Sequence, residues 1–260
     1  MKRARLPGIV FVAAAAGVAF VVLPLVALVI RAPWSNALHE LSKSSVRTAL
    51  IVSLEVSLGA TALAFALGMP IALALSRSAF PGRAIVRGVV LLPLVLPPVV
   101  AGVALLSGLG RSGIIGDALH ALGVSLPFTA GGAAVAAAFV SLPLLVLALE
   151  AGLSGVDTRL EDAALSLGAS PWFALSRVTL PLMRPHIAAA LVIAWARALG
   201  EFGATITFAG NLRGRTQTLP LAVFEVLQTD PAAATILSLL LVAVSLIALF
   251  SLRGRFLVQR

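Results

Sequence analysis

The sequence contains no cysteine, which excludes a disulfide, a thiolate metal site and a cysteine nucleophile. Charge is scarce: Asp, Glu, Lys and Arg make up 11% of the 260 residues, against about 25% in ordinary soluble domains. There are two lysines, Lys2 and Lys43, and neither follows a glycine. The G-x-x-x-x-G-K-[ST] loop that cradles nucleotide phosphates is therefore absent. Three histidines, His39, His120 and His186, fall in expected loops or at the edge of an apolar run. They read as surface residues, with no metal cluster and no Ser-His-Asp arrangement. By itself the chain is expected to be no enzyme and to carry no metal or cofactor.

What the sequence has in quantity is apolar residues, 60% of the chain, with a mean hydropathy of +1.09. That is enough for several bilayer spans of about 20 residues each. The apolar runs predict an all-α integral membrane protein of one domain, with six transmembrane helices over residues 8–30, 46–76, 88–106, 129–149, 184–209 and 232–252. The first run follows a basic head, residues 1–7, as the apolar core of a signal peptide would. It is too long for that core, and no small-x-small cleavage site follows before Arg31; it reads as an uncleaved helix.

The net charge of +9 points to membrane topology rather than to nucleic acid. Lys and Arg accumulate on the cytoplasmic flanks of membrane helices. With both termini inside, twelve of the nineteen basic residues fall on inner segments and six on outer ones, leaving Arg197 within a span. This orientation puts residues 154–181 in the cytoplasm. Outside it puts an interfacial segment at 31–45 with Trp34 near the headgroups, a glycine-rich loop at 107–128 and a last loop at 210–231.

Two runs carry features that a plain lipid-facing helix avoids. The third holds Pro93, Pro97 and Pro98. Such irregular backbone is tolerated in a membrane only inside protein or beside a water-filled path, so the run is a packing kink or a pathway helix. The fifth holds Arg197 and Glu201, four residues apart, on one helical face. A charged pair in a span faces the bundle interior, as a structural ion pair or as a gate that attracts an anion. Gly200 and Gly203 leave room for close helix approach. In the second run Ser53, Glu55, Ser57 and Thr61 interrupt the apolar sequence, with Glu55 expected near the outer end, solvated or paired.

Residues 154–181, SGVDTRLEDAALSLGASPWFALSRVTLP, are the most polar long segment. Ser154 and Asp157 can cap a helix N-terminus, and 159–167 are rich in helix formers. Gly168 occupies the position of a left-handed C′ residue, Ser170-Pro171 restarts a helix, and Pro181 is expected to end it. A short amphipathic element of this kind can lie in a groove on a partner.

The spacing in this segment has a counterpart. Asp162-Ala163-Ala164, three residues, Gly168, nine residues and Val178-Thr179-Leu180-Pro181 resemble the EAA loop of ABC importer permeases, with Asp for Glu and Val for Ile. The run from Arg197 to Thr205, then Phe208 to Asn211 and Gly214 to Pro220, is similar to the molybdate permeases within that family. Sulfate/thiosulfate permeases have a related run with Tyr and Ser in place of Phe202 and Ala204. The resemblance implies a type I ABC importer permease fold in the cell inner membrane. It also implies that Asp162, Ala163, Ala164, Gly168 and Pro181 couple to a separate ABC ATPase carrying ATP and magnesium. A second copy of the chain and an extracytoplasmic oxyanion-binding protein complete the implied machine. Candidate pathway or gate residues are Arg197, Glu201, Gly203, Pro97 and Pro98. Candidate binding-protein contacts are Asn211, Arg215 and Thr216. Molybdate is the expected oxyanion, with sulfate, thiosulfate and tungstate as alternatives. A channel or secondary carrier is the competing class; it would show repeat symmetry, and no internal repeat is evident.

Overall fold

Apolar runs this long, almost free of charge, satisfy their backbone groups internally as helices. In the computed structural model, which describes residues 7–256, every regular element is helical. The basic head, save Pro7, and the last four residues of the basic tail lie outside the described residues. The helices are α1 (Gly8–Ile30), α2 (Ala37–Ser42), α3 (Ser44–Arg77), α4 (Arg83–Val95), α5 (Pro98–Leu109), α6 (Gly116–Ala121) and α7 (Ala130–Ser154). They continue with α8 (Thr158–Ser166), α9 (Pro171–Ala174), α10 (Leu180–Leu199), α11 (Gly203–Phe208), α12 (Leu219–Leu227) and α13 (Pro231–Phe256).

Four segments are long and apolar enough to cross a bilayer: α1, α3, α7 and the stretch Pro171–Leu199. The bent pair α4–α5 is apolar enough for a broken span or a re-entrant loop, and α13 holds a shorter apolar stretch, Pro231–Ile247.

The core is a three-helix packing of α3, α7 and α10. Its contact surface is largely alanine: Ala60, Ala64 and Ala72 meet Ala133, Ala137, Ala138, Ala190, Ala194 and Ala198, all buried. In lipid no hydrophobic force draws apolar helices together, so small residues that let backbones approach supply the packing. A Cβ on Gly68 of α3 would lie 2.7 Å from a Leu145 methyl of α7, and one on Gly152 of α7 would lie 2.5 Å from the His186 Cβ of α10. The serines of the second span point inward. Ser57 accepts a hydrogen bond from the Trp195 indole at 2.8 Å, and Ser53 accepts one from the Leu219 backbone N–H at 2.5 Å. Glu55 is exposed.

Three expectations need correction. Residues 88–106 do not form one helix. The chain breaks at Leu96-Pro97, and the halves bend by 120°. Leu96 and Pro97 each precede a proline, which disfavours the helical region, and both are extended, with ψ of 137° and 135°. Residues 184–209 are likewise interrupted, at 200–202, between α10 and α11.

The third correction concerns residues 210–231, expected as an outer loop, which hold the helix α12. Thr216 to Leu219, Leu221 and Ala222 are buried, and α12 packs with Val46 and Ala49 of α3 and Leu237 of α13. The apolar run LPLAVF can leave water as one face of a short helix, which a reading by charge alone overlooks.

Candidate functional site

The polar segment after α7 is built by local chemistry. The Asp157 side chain accepts the Arg159 N–H at 3.0 Å and caps α8; the Ser170 hydroxyl accepts the Phe173 N–H at 3.2 Å and caps α9. Between them Gly168 has φ +87°. Its N–H reaches the Leu165 carbonyl and the Ala169 N–H reaches Ala164, the two bonds of a Schellman turn. Asp162, Ala163 and Gly168 are exposed and Ala164 half-buried. Leu167, Trp172 and Phe173 are exposed beside them, so an apolar shelf lies around the Gly168 turn.

Pro181 does not end the second helix. A π-turn over Leu175–Thr179 widens the backbone ahead of it, and α10 continues to Leu199. A proline lacks an N–H and crowds the preceding carbonyls; the wide turn absorbs both defects. The polar loop and the fifth apolar run are thus one continuous rod from Pro171 to Leu199.

At the far end of that rod the candidate pathway residues converge. Arg197 and Glu201 form an ion pair at 2.8 Å. Glu201 lies beyond the end of α10, in the break, and its other carboxylate oxygen accepts the Ala204 N–H of α11 at 2.8 Å. It is 3% exposed as a residue, while the Arg197 side chain keeps 31%. The carboxylate therefore neutralises the guanidinium and joins the two halves of the interrupted run. The Arg197 charge remains reachable from outside the fold.

The break in the other run meets this one. A Cβ on Gly203 would lie 2.4 Å from the Pro98 Cβ, and one on Gly102 would lie 2.5 Å from the Thr207 Cβ. Gly102 follows Pro98 by four residues on α5, and Thr207 follows Gly203 by four on α11, so the two half-helices touch along matching faces. Pro98, Gly203 and Glu201 form one crossing, and Pro97 precedes it at the bend.

The three outer-loop candidates separate. Arg215 is exposed, Asn211 is half-buried and Thr216 is fully buried. The Thr216 hydroxyl accepts the Leu212 N–H at 3.0 Å inside the turn, which removes it as a surface contact. Sequence reasoning missed the residue that organises this loop, Glu225 of α12. It accepts hydrogen bonds from the side chains of Arg213, Asn211 and Gln217. The Arg213 guanidinium, with help from both amides and against partial burial, holds the Glu225 carboxyl below its ordinary value of 4.5. A carboxylate with a lowered folded value anchors the loop fully above about 4.5 and loses that contribution as pH falls through the folded value. Hydrogen-exchange protection of the Leu212, Thr216 and Gln217 amides should be constant from about pH 8 to 6 and collapse in acid. Glu225→Gln should show the same loss at neutral pH. Protection that stays unchanged in Glu225→Gln would remove the carboxylate from this role.

Residues 64–259 match the family of binding-protein-dependent transport system inner membrane components. The chain belongs to that family. The permease is 45% identical over 252 residues to the molybdenum transport system permease protein ModB of Mycobacterium tuberculosis (strain ATCC 25618 / H37Rv), covering 96% of this chain and 95% of the relative. It is 44% identical over 204 residues to ModB of Escherichia coli (strain K12), covering 77% and 89%. The sulfate permease CysT of the same E. coli strain is more distant, at 36% over 242 residues, 90% and 87% covered.

Among solved structures, the permease resembles a chain of a bacterial alginate ABC transporter, with a TM-score of 0.75 at 17% identity and coverage of 94% and 91%. It also resembles a chain of the MetNI methionine transporter, at 0.63 and 18%, with coverage of 79% and 92%. These likenesses establish the ABC importer permease fold. The permease is a multi-pass protein of the inner membrane.

Proposed function

We propose that this chain is the permease subunit of an ATP-driven importer that moves molybdate into the cytoplasm. What carries the reading is identity to ModB proteins of 45% over 96% of the chain, against 36% for the sulfate permease. Two copies of the chain pair, two ABC ATPase subunits sit on the cytoplasmic side, and a binding protein delivers the oxyanion from outside. ATP and magnesium belong to the ATPase subunits. The shelf around Gly168, with Asp162 exposed on it, enters a cleft on each ATPase.

Closure of the ATPase pair draws the two loops together. The rod that begins at Pro171 carries the displacement to Arg197 and to the crossing of the broken runs. There Arg197 presents positive charge to a passing dianion, and Glu201 lowers the cost of keeping that charge within the bundle. Arg215 is the exposed outer-loop residue offered to the binding protein.

Cellular molybdenum at limiting external molybdate, measured by elemental mass spectrometry with and without the chain, tests the reading when labelled sulfate uptake is run in parallel. A molybdenum deficit with normal sulfate uptake is expected. Lost sulfate uptake with normal molybdenum would transfer the protein to the sulfate permeases.

A further inference from the structure

In the loop that meets the ATPase in the proposal above, α8 is held to the bundle by very little. No residue of α8 is buried. An open cleft lined by Leu73, Ala74, Leu165, Pro171 and Leu175 separates the loop from the end of α3. Tight side-chain packing therefore cannot be what transmits a displacement of α8.

One side chain crosses that cleft. Glu161, in the middle of α8, accepts a hydrogen bond from Arg77 at the end of α3 at 2.9 Å and one from the Thr179 hydroxyl in the π-turn at 3.0 Å. Arg77 lies 84 positions away in sequence. Both charged side chains are largely covered, 24% exposed for Arg77 and 18% for Glu161. Water and salt therefore weaken the pair less than they weaken a surface ion pair.

We propose that Glu161 is a positioning residue for transport: it clamps the docking helix α8 to the second span and to the root of the rod that leads to Arg197. The inference rests on the coupling reading of this loop. The two neighbouring acids then divide the work. They lie about 100° apart around a helix of 3.6 residues per turn. Asp162 faces out toward the partner, and Glu161 faces in toward the permease. The clamp also has room to tighten. Arg77 bonds through one terminal nitrogen to one carboxylate oxygen, while its Nε is buried without a partner. A small approach of α8 would complete the two-bond fork that Arg and carboxylate form.

The test uses the assembled transporter in proteoliposomes, with ATPase subunits and loaded binding protein, and molybdate as the substrate. In Glu161→Gln, ATP hydrolysis should outlast transport, so that molybdate taken up per ATP falls about tenfold while the ATPase subunit still co-purifies. A second readout is structural. The chain has no cysteine, so spin labels can be placed at Arg159→Cys on α8 and Leu67→Cys on α3 with no background from the permease, in a complex whose other subunits are cysteine-free. Their distance distribution should broaden in Glu161→Gln.

Unchanged uptake per ATP, or an unchanged distance distribution, overturns the clamp. Loss of the ATPase subunit from the complex also overturns it, because Glu161 would then be a docking residue. Gly168→Val run in parallel separates the two levels. Wild-type coupling in Glu161→Gln but not in Gly168→Val sinks the clamp alone; wild-type coupling in both sinks the coupling reading beneath it.

Discussion

Adding a single methyl group at Gly203 is expected to lower molybdate uptake at least tenfold while the permease still inserts and binds its ATPase. The new Cβ would sit 2.4 Å from the Pro98 Cβ and 3.4 Å from the Pro98 carbonyl carbon. A flexible side chain could rotate away. Pro98 cannot, because its ring is part of the backbone. The strain must be relieved by separating α5 from α11, and overpacking of this kind costs about 1–3 kcal/mol. That energy falls on the contact between the two broken runs, with Glu201 two residues away. Gly200→Ala is the matched control. Its Cβ would meet nothing closer than the Ala196 carbonyl at 3.7 Å, so uptake should stay within about twofold of wild type. Normal uptake by Gly203→Ala would mean that the crossing is loose and that transport does not depend on its fit.

Gly168→Val should act by a different route, through backbone conformation without any clash. Nothing lies within 4 Å of a Cβ at this position, but φ is +87°. A left-handed conformation costs an L-residue about 1–2 kcal/mol, and a β-branched one more. The Schellman turn between α8 and α9 should open, tilting the proposed docking shelf while the core of α3, α7 and α10 stays intact. Uptake per ATP is expected to fall tenfold or more, with little change in the melting temperature of the detergent-solubilised permease. Gly168→Asn should be mild, because Asn tolerates this region. Gly123 serves as a control for strain alone: it has φ +75° and open space in another outer loop. Gly123→Val should leave uptake per ATP unchanged if strain matters only in the proposed docking loop. Full coupling in Gly168→Val would remove the turn from the mechanism.

Legibility followed the range of the interactions. The caps at Asp157 and Ser170 and the left-handed turn at Gly168 were readable because each depends on residues within five positions of one another. The Arg197–Glu201 pair was readable for the same reason, but its setting was not. Spacing placed Glu201 on the helix, and the structure puts it in the break, where it also takes the Ala204 N–H. Pro181 misled, because a proline ends a helix only when no wider turn can absorb it, and the π-turn at Leu175–Thr179 does so. Thr216 was drawn to the surface by its polar neighbours, yet its hydroxyl closes a turn inside the fold. Glu225 and Glu161 gave no local signal, since their partners lie 8 to 14 and 18 to 84 positions away in the chain.

Composition, hydropathy and motif spacing alone determined that the protein is helical, spans a membrane, has no G-x-x-x-x-G-K-[ST] loop and carries a polar segment with the spacing of the EAA loop. Each of these follows from short-range chemistry or from the cost of placing charge and bare backbone in lipid. Tertiary structure decided that the prolines of one run meet the glycines of another. It also decided that part of the last outer loop is buried, and that α8 is tied to α3 by one carboxylate. Hydrophobic periodicity marks which face of a helix is covered without naming the helix that covers it. Two breaks more than a hundred residues apart form a crossing only once the bundle has packed.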